Sequence, residues 1–127
     1  MGEAMEEMTK PAASWPTELK LDKDKQMLTV SFDDGMHFAL PAELLRVLSP
    51  SAEVQGHSPA QRVTVPGKKS VRIQKLEPVG TYAVRITFDD GHNTGLYAWD
   101  YLRELGENQE ARFRAYLNEL AGKGLSR

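Results

Sequence analysis

The chain has 127 residues, a formal net charge of −2, 40% hydrophobic and 27% charged residues, and no cysteine. Its length suits one domain with a single core, and its charge gives no general attraction to nucleic acid or anionic membrane. Disulfides, thiolate nucleophiles and cysteine-based metal sites are excluded.

No run approaches the ~18 apolar residues of a membrane span. The start, MGEAMEEMTKPAASWP, is acidic and Met-rich and lacks the basic and apolar regions of a signal peptide. A cytoplasmic protein with no membrane partner is expected. Residues 1–13 have little to bury and contain Pro11, so they read as a flexible tail. Residues 14–106 read as the folded domain, and 107–127 as a helical extension.

Order is expected to begin near Trp15, with TELKLD as a short strand carrying Leu19 and Leu21 on one face. Met27, Leu28, Val30 and Phe32 lead into Asp33-Asp34-Gly35, and Met36, Phe38 and Leu40 follow. Asp-Gly between apolar stretches predicts a hairpin whose glycine supplies the positive φ of a primed turn. Pro41 fits the first position of a helix; Leu44, Leu45 and Leu48 share one face of it, and Pro50 stops it.

The stretch SPSAEVQGHSPAQ is polar, broken by Gly56 and Pro59, and reads as a loop with one helical turn. Val63 and Val65 precede a turn at Pro66-Gly67, and Val71, Ile73 and Leu76 suggest a strand up to Pro78. Tyr82, Val84, Ile86 and Phe88 then alternate into Asp89-Asp90-Gly91. Leu96, Tyr97 and Trp99 follow, with Asp100 as candidate N-cap of YLREL and Gly106 as its stop. Asn108 is placed to cap a terminal helix bearing Phe113, Tyr116, Leu117 and Leu120 at i, i+3, i+4 and i+7, and Gly122 and Gly124 predict a frayed end.

The pattern predicts an α+β fold: mostly antiparallel sheet built from two strand–hairpin–helix units, plus a C-terminal amphipathic helix. Aligned directly, Phe32 falls on Phe88, Gly35 on Gly91 and Leu40 on Leu96. One inserted residue then brings Leu45 onto Leu102 and Arg46 onto Arg103. A pseudo-two-fold arrangement explains this, and so does the recurrence of cheap hairpin chemistry.

Adjacent aspartates on a strand face opposite ways, so the two Asp-Asp pairs read as turn chemistry and not as metal ligands. His37 reads as strand packing, His57 as a solvated loop residue, and His92, directly after a hairpin glycine, as a structural hydrogen-bonding residue. The serines form no nucleophile elbow, and Pro66-Gly67-Lys68-Lys69-Ser70 lacks the leading glycine of a phosphate loop. Arg62, Lys68, Lys69, Arg72 and Lys75 face one acid, Glu77, yet have valines for neighbours. They read as a solvated sheet face and not a nucleic-acid groove.

Three stretches, WPTELKL, FxDGxxFxLPAELLRVLSPSAEVQGH and EPVGTYAVRITFDDGHNTGLYAWDYLRELG, resemble the gamma-butyrobetaine hydroxylase-like N-terminal domain family. The resemblance implies a small bacterial domain that occurs alone, ahead of the catalytic domain of certain iron- and 2-oxoglutarate-dependent oxygenases, or attached to iron–sulfur cluster carriers. In the oxygenases it implies a structural zinc held by three cysteines and a histidine. Carried across, the cysteine positions fall on Ser49, Ser51 and Val54 and the histidine on His92. Serines are poor zinc ligands and valine is none. The expectation is that hydrogen bonds from His92 to Ser49, Ser51 or a loop carbonyl now hold the two loops together.

These readings give a stand-alone, non-catalytic interaction or accessory module for an oxygenase or an iron–sulfur carrier, with an unidentified protein partner and no cofactor. Trp15, Tyr97, Trp99 and Tyr101 are the candidates for contact or core residues. The alternative is a zinc or iron protein that binds metal through His92, His57 and Glu53.

Overall fold

A computed structural model describes residues 15–127; the tail expected over residues 1–13 lies outside them. Strands β1 (Pro16–Leu21), β2 (Met27–Phe32) and β3 (His37–Pro41) form one antiparallel sheet in the order β1-β2-β3, and the chain passes directly into α1 (Ala42–Val47). A short α2 (Ala52–Gln55) and a 3-10 turn at Pro59–Gln61 lead to β4 (Ile73–Val79), β5 (Ala83–Phe88) and β6 (Leu96–Ala98). These make a second antiparallel sheet in the order β4-β5-β6, followed by α3 (Trp99–Glu107) and α4 (Gln109–Gly122). The fold is α+β, with two three-stranded sheets.

Strict alternation aims Leu28, Val30 and Phe32 of β2 inward, and Val84, Ile86 and Phe88 of β5 do the same from the other sheet. Both sets join one buried cluster with Leu44, Leu45, Leu102 and Leu105 from the helices and Tyr116 and Leu120 from α4. His37 is exposed at the start of β3 and packs against nothing in the core, because it lies on the strand's solvent face.

The two sheets repeat one another in detail. Leu28 pairs with Leu40 in the first, and Val84 with Tyr97 in the second. Tyr97, and not Leu96, is therefore the counterpart of Leu40. The inserted residue falls in the loop after the second turn, since a one-residue slip would turn the wrong side chain to the core; Tyr97 is fully buried and Leu96 exposed. The resemblance extends to the preceding strands, for β1 and β4 carry the same irregularity opposite Phe32 and Phe88. Asp33 N–H donates to Trp15 O as Asp89 N–H donates to Arg72 O, both at 2.9 Å.

Neither hairpin uses a primed turn. In each, the glycine N–H bonds back to the phenylalanine carbonyl (3.1 Å for Gly35 to Phe32, 3.0 Å for Gly91 to Phe88). Only the glycine has a positive φ, 91° and 93°, which is a type I turn closed by a left-handed residue. Asp34 and Asp90 each accept the N–H two residues on, from Met36 and His92, at 3.1 and 3.0 Å. That local bond is the work the second aspartate does in both turns.

Helix ends differ from the sequence reading. Pro41 is the extended N-cap of α1 and not its first helical residue. Ala98 holds that place in α3, so Asp100 lies inside the first turn, where its charge meets the helix dipole. Gly106 does not stop α3; a Cβ there would lie 2.4 Å from the Phe38 ring, so glycine lets the helix lie against β3. Asn108 makes no side-chain cap, and its Nδ2 donates to Glu104 O instead. The end of α4 does not fray: Leu125 N–H returns to Leu120 O at 2.8 Å, and Gly67 N–H donates to Ser126 O at 3.1 Å.

The units also trade contacts. Arg103 of the second unit reaches Asp34 in the first turn through two bonds of 3.2 and 2.8 Å, and Arg46 of the first reaches Asp90 in the second turn at 2.8 Å. Such reciprocity, residue i on j and j on i, is what a two-fold relation produces. The arginines are the pair that the sequence alignment superimposes.

Candidate functional site

The second hairpin tip meets the loop that follows α1. Gly91 bends the chain so that His92 starts the return strand, and its imidazole lies beneath residues 49–53. The histidine side chain is only 4% exposed. Its Nε2 lies 2.9 Å from Ser49 Oγ and 3.4 Å from Ser51 Oγ, and its Nδ1 lies 3.2 Å from Glu53 Oε1.

The carboxylate can only accept, which puts the proton on Nδ1 and leaves Nε2 to accept from the Ser49 hydroxyl. Ser49 Oγ in turn receives the Ser51 backbone N–H at 3.3 Å, and Ser49 O receives Gln55 Nε2 at 2.9 Å. Burial lowers the His92 pKa below its ordinary 6.5, and the nearby Arg46 guanidinium lowers it further against the opposing Glu53 and Asp90. The neutral ring is the form this arrangement favours.

Asp90, two residues earlier in the turn, ties in two cations. Its Oδ2 accepts from Arg46 at 2.8 Å and from Lys68 at 2.6 Å. Burial alone would raise its carboxyl, but Lys68, the His92 backbone N–H and Arg46 outweigh that and hold it well below the usual carboxylate range.

Hydroxyl, imidazole and carboxylate follow one another in the order of a hydrolytic triad, a constellation that the serine contexts in the sequence did not suggest. The surroundings forbid that chemistry. Ser49 is fully buried, and a single methyl on Gly95 would already lie 2.4 Å from its Oγ. A substrate carbonyl has no approach, so the chain of bonds is a tie between loops.

The expected contacts from His92 to Ser49 and Ser51 are present, and Val54 is buried beside them. The donor set does not fit the zinc that the family resemblance implies, because two neutral hydroxyls and an alkyl group stand where thiolates would be needed. Of His92, His57 and Glu53, the structure joins the first and last. His57 is exposed, with its backbone N–H on Gln61 Oε1. No group of three or more His, Cys, Asp or Glu side chains suited to a metal occurs among the described residues.

The aromatic candidates separate. Tyr97 is core, its hydroxyl donating to Leu45 O. Tyr101 is half-buried and donates to Leu48 O at 2.6 Å, while half-buried Trp99 donates Nε1 to Thr81 O at 2.8 Å. Trp15 is half exposed. The basic residues are partly neutralised: Arg62 by Glu119, Lys68 by Asp90 and Lys75 by Glu77.

A pH dependence follows from the depressed His92 pKa. The unfolded chain takes up a proton near pH 6.5 while the folded chain resists it until a lower pH. The stabilisation is therefore complete above about pH 6.5 and is lost as pH falls through the folded-state value. Denaturant midpoints measured from pH 7.5 to 5 are expected to fall below pH 6.5, with a shallower fall in His92→Gln. Parallel curves for the two proteins would show that His92 is not the group responsible.

The family described as gamma-butyrobetaine hydroxylase-like, N-terminal, matches residues 19–103. Two solution NMR structures are similar. One protein is 45% identical, with 90% of each chain covered and a TM-score of 0.77. The other is 48% identical, with 90% of this chain and 85% of that chain covered and a TM-score of 0.78. A crystal structure of a protein of unknown function from Acidithiobacillus ferrooxidans, of the DUF971 family, is 37% identical over 72% of this chain and 91% of that one, with a TM-score of 0.59. No curated protein matches the chain.

Proposed function

The chain belongs to the gamma-butyrobetaine hydroxylase-like N-terminal family, and from that premise we propose that it acts as a non-catalytic accessory module that docks onto an oxygenase or an iron–sulfur carrier. The observation that carries this reading is a difference between its two equivalent hairpin tips. In the second unit His92 is roofed by the loop at 49–53. Its counterpart in the first unit is Met36, which is 46% exposed, and beside it the strand entry presents Trp15, 50% exposed.

The same backbone shape is thus roofed by this chain at one tip and left open at the other, where Met36 stands among exposed Asp33, Asp34 and His37. A large aromatic at the strand entry and an adaptable methionine at the turn are side chains that supply contact energy at interfaces. The burial of Ser49 within the triad-like cluster supports a role without chemistry of its own.

The test is titration calorimetry of the full chain against a recombinant iron–sulfur carrier and against an oxygenase catalytic domain from the same genome. Binding to one of them is expected, with Trp15→Ser and Met36→Ser each weakening it about tenfold, or ~1.4 kcal/mol. Their unfolding midpoints should hold, since both side chains are exposed. No association with either protein, or binding indifferent to both substitutions, would overturn the reading.

A further inference from the structure

A second site, remote in sequence from His92, lies where α4 crosses the start of α1. Glu43, in the first turn of α1, is a buried carboxylate at 6% exposure. Its charge is met by Arg127, with Nη2 to Oε1 at 2.7 Å and Nε to Oε2 at 3.0 Å, the two-pronged geometry that distinguishes guanidinium from ammonium. The same guanidinium lies with its carbon 5.2 Å from the centre of the Phe113 ring.

Carboxylate and cation are unequal partners in this pair. The Glu43 side chain is fixed and 6% exposed, whereas the Arg127 side chain is 40% exposed. The anion is part of the fold, and the cation sits at its surface.

Beside the pair a groove of about 580 Å³ runs between α1 and α4, with Leu44, Phe113 and Leu117 on its walls. Glu107, Glu110 and Arg114 add charge to its lining. Glu107 is already paired with Arg103 at 2.7 Å, so with Arg127 displaced Glu43 and Glu110 would face Arg114, and the groove would be left with an excess of negative charge. The equivalent position in the second unit, Asp100, is exposed and has no such cover.

We infer that this groove is a recognition site for an arginine side chain of a partner peptide, and that Arg127 holds its Glu43 carboxylate in the free protein. The inference does not depend on the Trp15–Met36 tip. It follows from a buried carboxylate that cannot be left unpaired, an aromatic face set for a planar cation, and apolar room beside them for the rest of the peptide.

The experiment is amide NMR of the full chain as Arg127→Ala, titrated with N-acetyl-arginine amide and, separately, with N-acetyl-lysine amide. Saturable shifts at Leu44, Gly106 and Phe113 are expected with the arginine probe in the millimolar range. The lysine probe should bind several-fold more weakly, and Arg127→Ala/Glu43→Gln should show no saturation. No saturable shift in Arg127→Ala, or equal shifts in the double variant, overturns the inference.

Should Arg127→Ala lose its native spectrum, the wild-type protein supplies the measurement. Its Arg127 Nε–H resonance should move towards the position of free arginine as probe is added, and a resonance that does not move overturns the inference equally.

Discussion

His92→Ala is expected to lower the unfolding free energy by about 2–4 kcal/mol, the cost of leaving a buried O–H without its acceptor together with a small cavity. The loss concentrates on Ser49, which is fully buried and has no route to water once Nε2 is gone. Glu53 contributes little to the cost, since its side chain is 65% exposed and regains solvent. The loop itself should loosen. The amides of Ser51, Val54 and Gln55, bonded to Ser49 Oγ and Ser51 O, should exchange faster than those of β2 and β5. Denaturant unfolding and hydrogen exchange on one sample measure both effects. An unchanged midpoint with unchanged exchange at 51–55 would remove the tie from the account of this fold.

The two turn aspartates should separate sharply on substitution. Asp90→Ala is expected to cost about 3 kcal/mol and Asp34→Ala less than about 1, although both lose the same turn bond to the residue two positions on. That shared bond cancels in the comparison and leaves the ion pairs. Asp90 is the salt-bridge partner of both Arg46, 12% exposed, and Lys68, 23% exposed. Arg46 has no other salt bridge among the described residues, and its Nη1 is already buried without a hydrogen bond. Removing Asp90 therefore strands the Arg46 cation where it is largely withdrawn from water. Asp34 is 46% exposed, and its Arg103 keeps Glu107 at 2.7 Å and the faces of Phe32 and Phe38. Urea melts of the two variants decide it. Equal losses would mean that the two halves of the exchanged pair do not differ in burial as described.

Much of the fold was legible in the sequence because it is written in alternation. The inward sets Leu28, Val30, Phe32 and Val84, Ile86, Phe88 could be read directly, as could the glycine that closes each turn. The turn type was not, since Asp-Gly serves both a primed turn and a type I turn ending in left-handed glycine, and only the hydrogen bonds separate them. Gly106 misled for a related reason. A glycine near a helix end usually marks the stop, yet here it clears space for Phe38, a residue 68 positions away along the chain.

The candidate site was legible only through the family's pattern, which placed Ser49, Ser51 and His92 together; nothing local to Ser49 predicts its partner. Glu53 was named for a metal it has no third ligand to share. Glu43 and Arg127 carried no signal at all, because a buried ion pair spanning 84 residues is a property of the packing.

The exchanged arginines have a consequence for behaviour at high concentration. Each unit of one molecule presents to its own other half the same surface that it would present to the corresponding half of a neighbour. The segment between Gln55 and Ile73 holds the halves together, and a short tether of this kind sets an effective concentration on the order of millimolar. Below it, docking between the two halves of one chain is favoured over docking between chains. As the protein concentration approaches it, pairing between halves of two chains would compete, opposed by the contacts the connecting segment itself makes, among them Gly67 N–H to Ser126 O and Lys68 to Asp90.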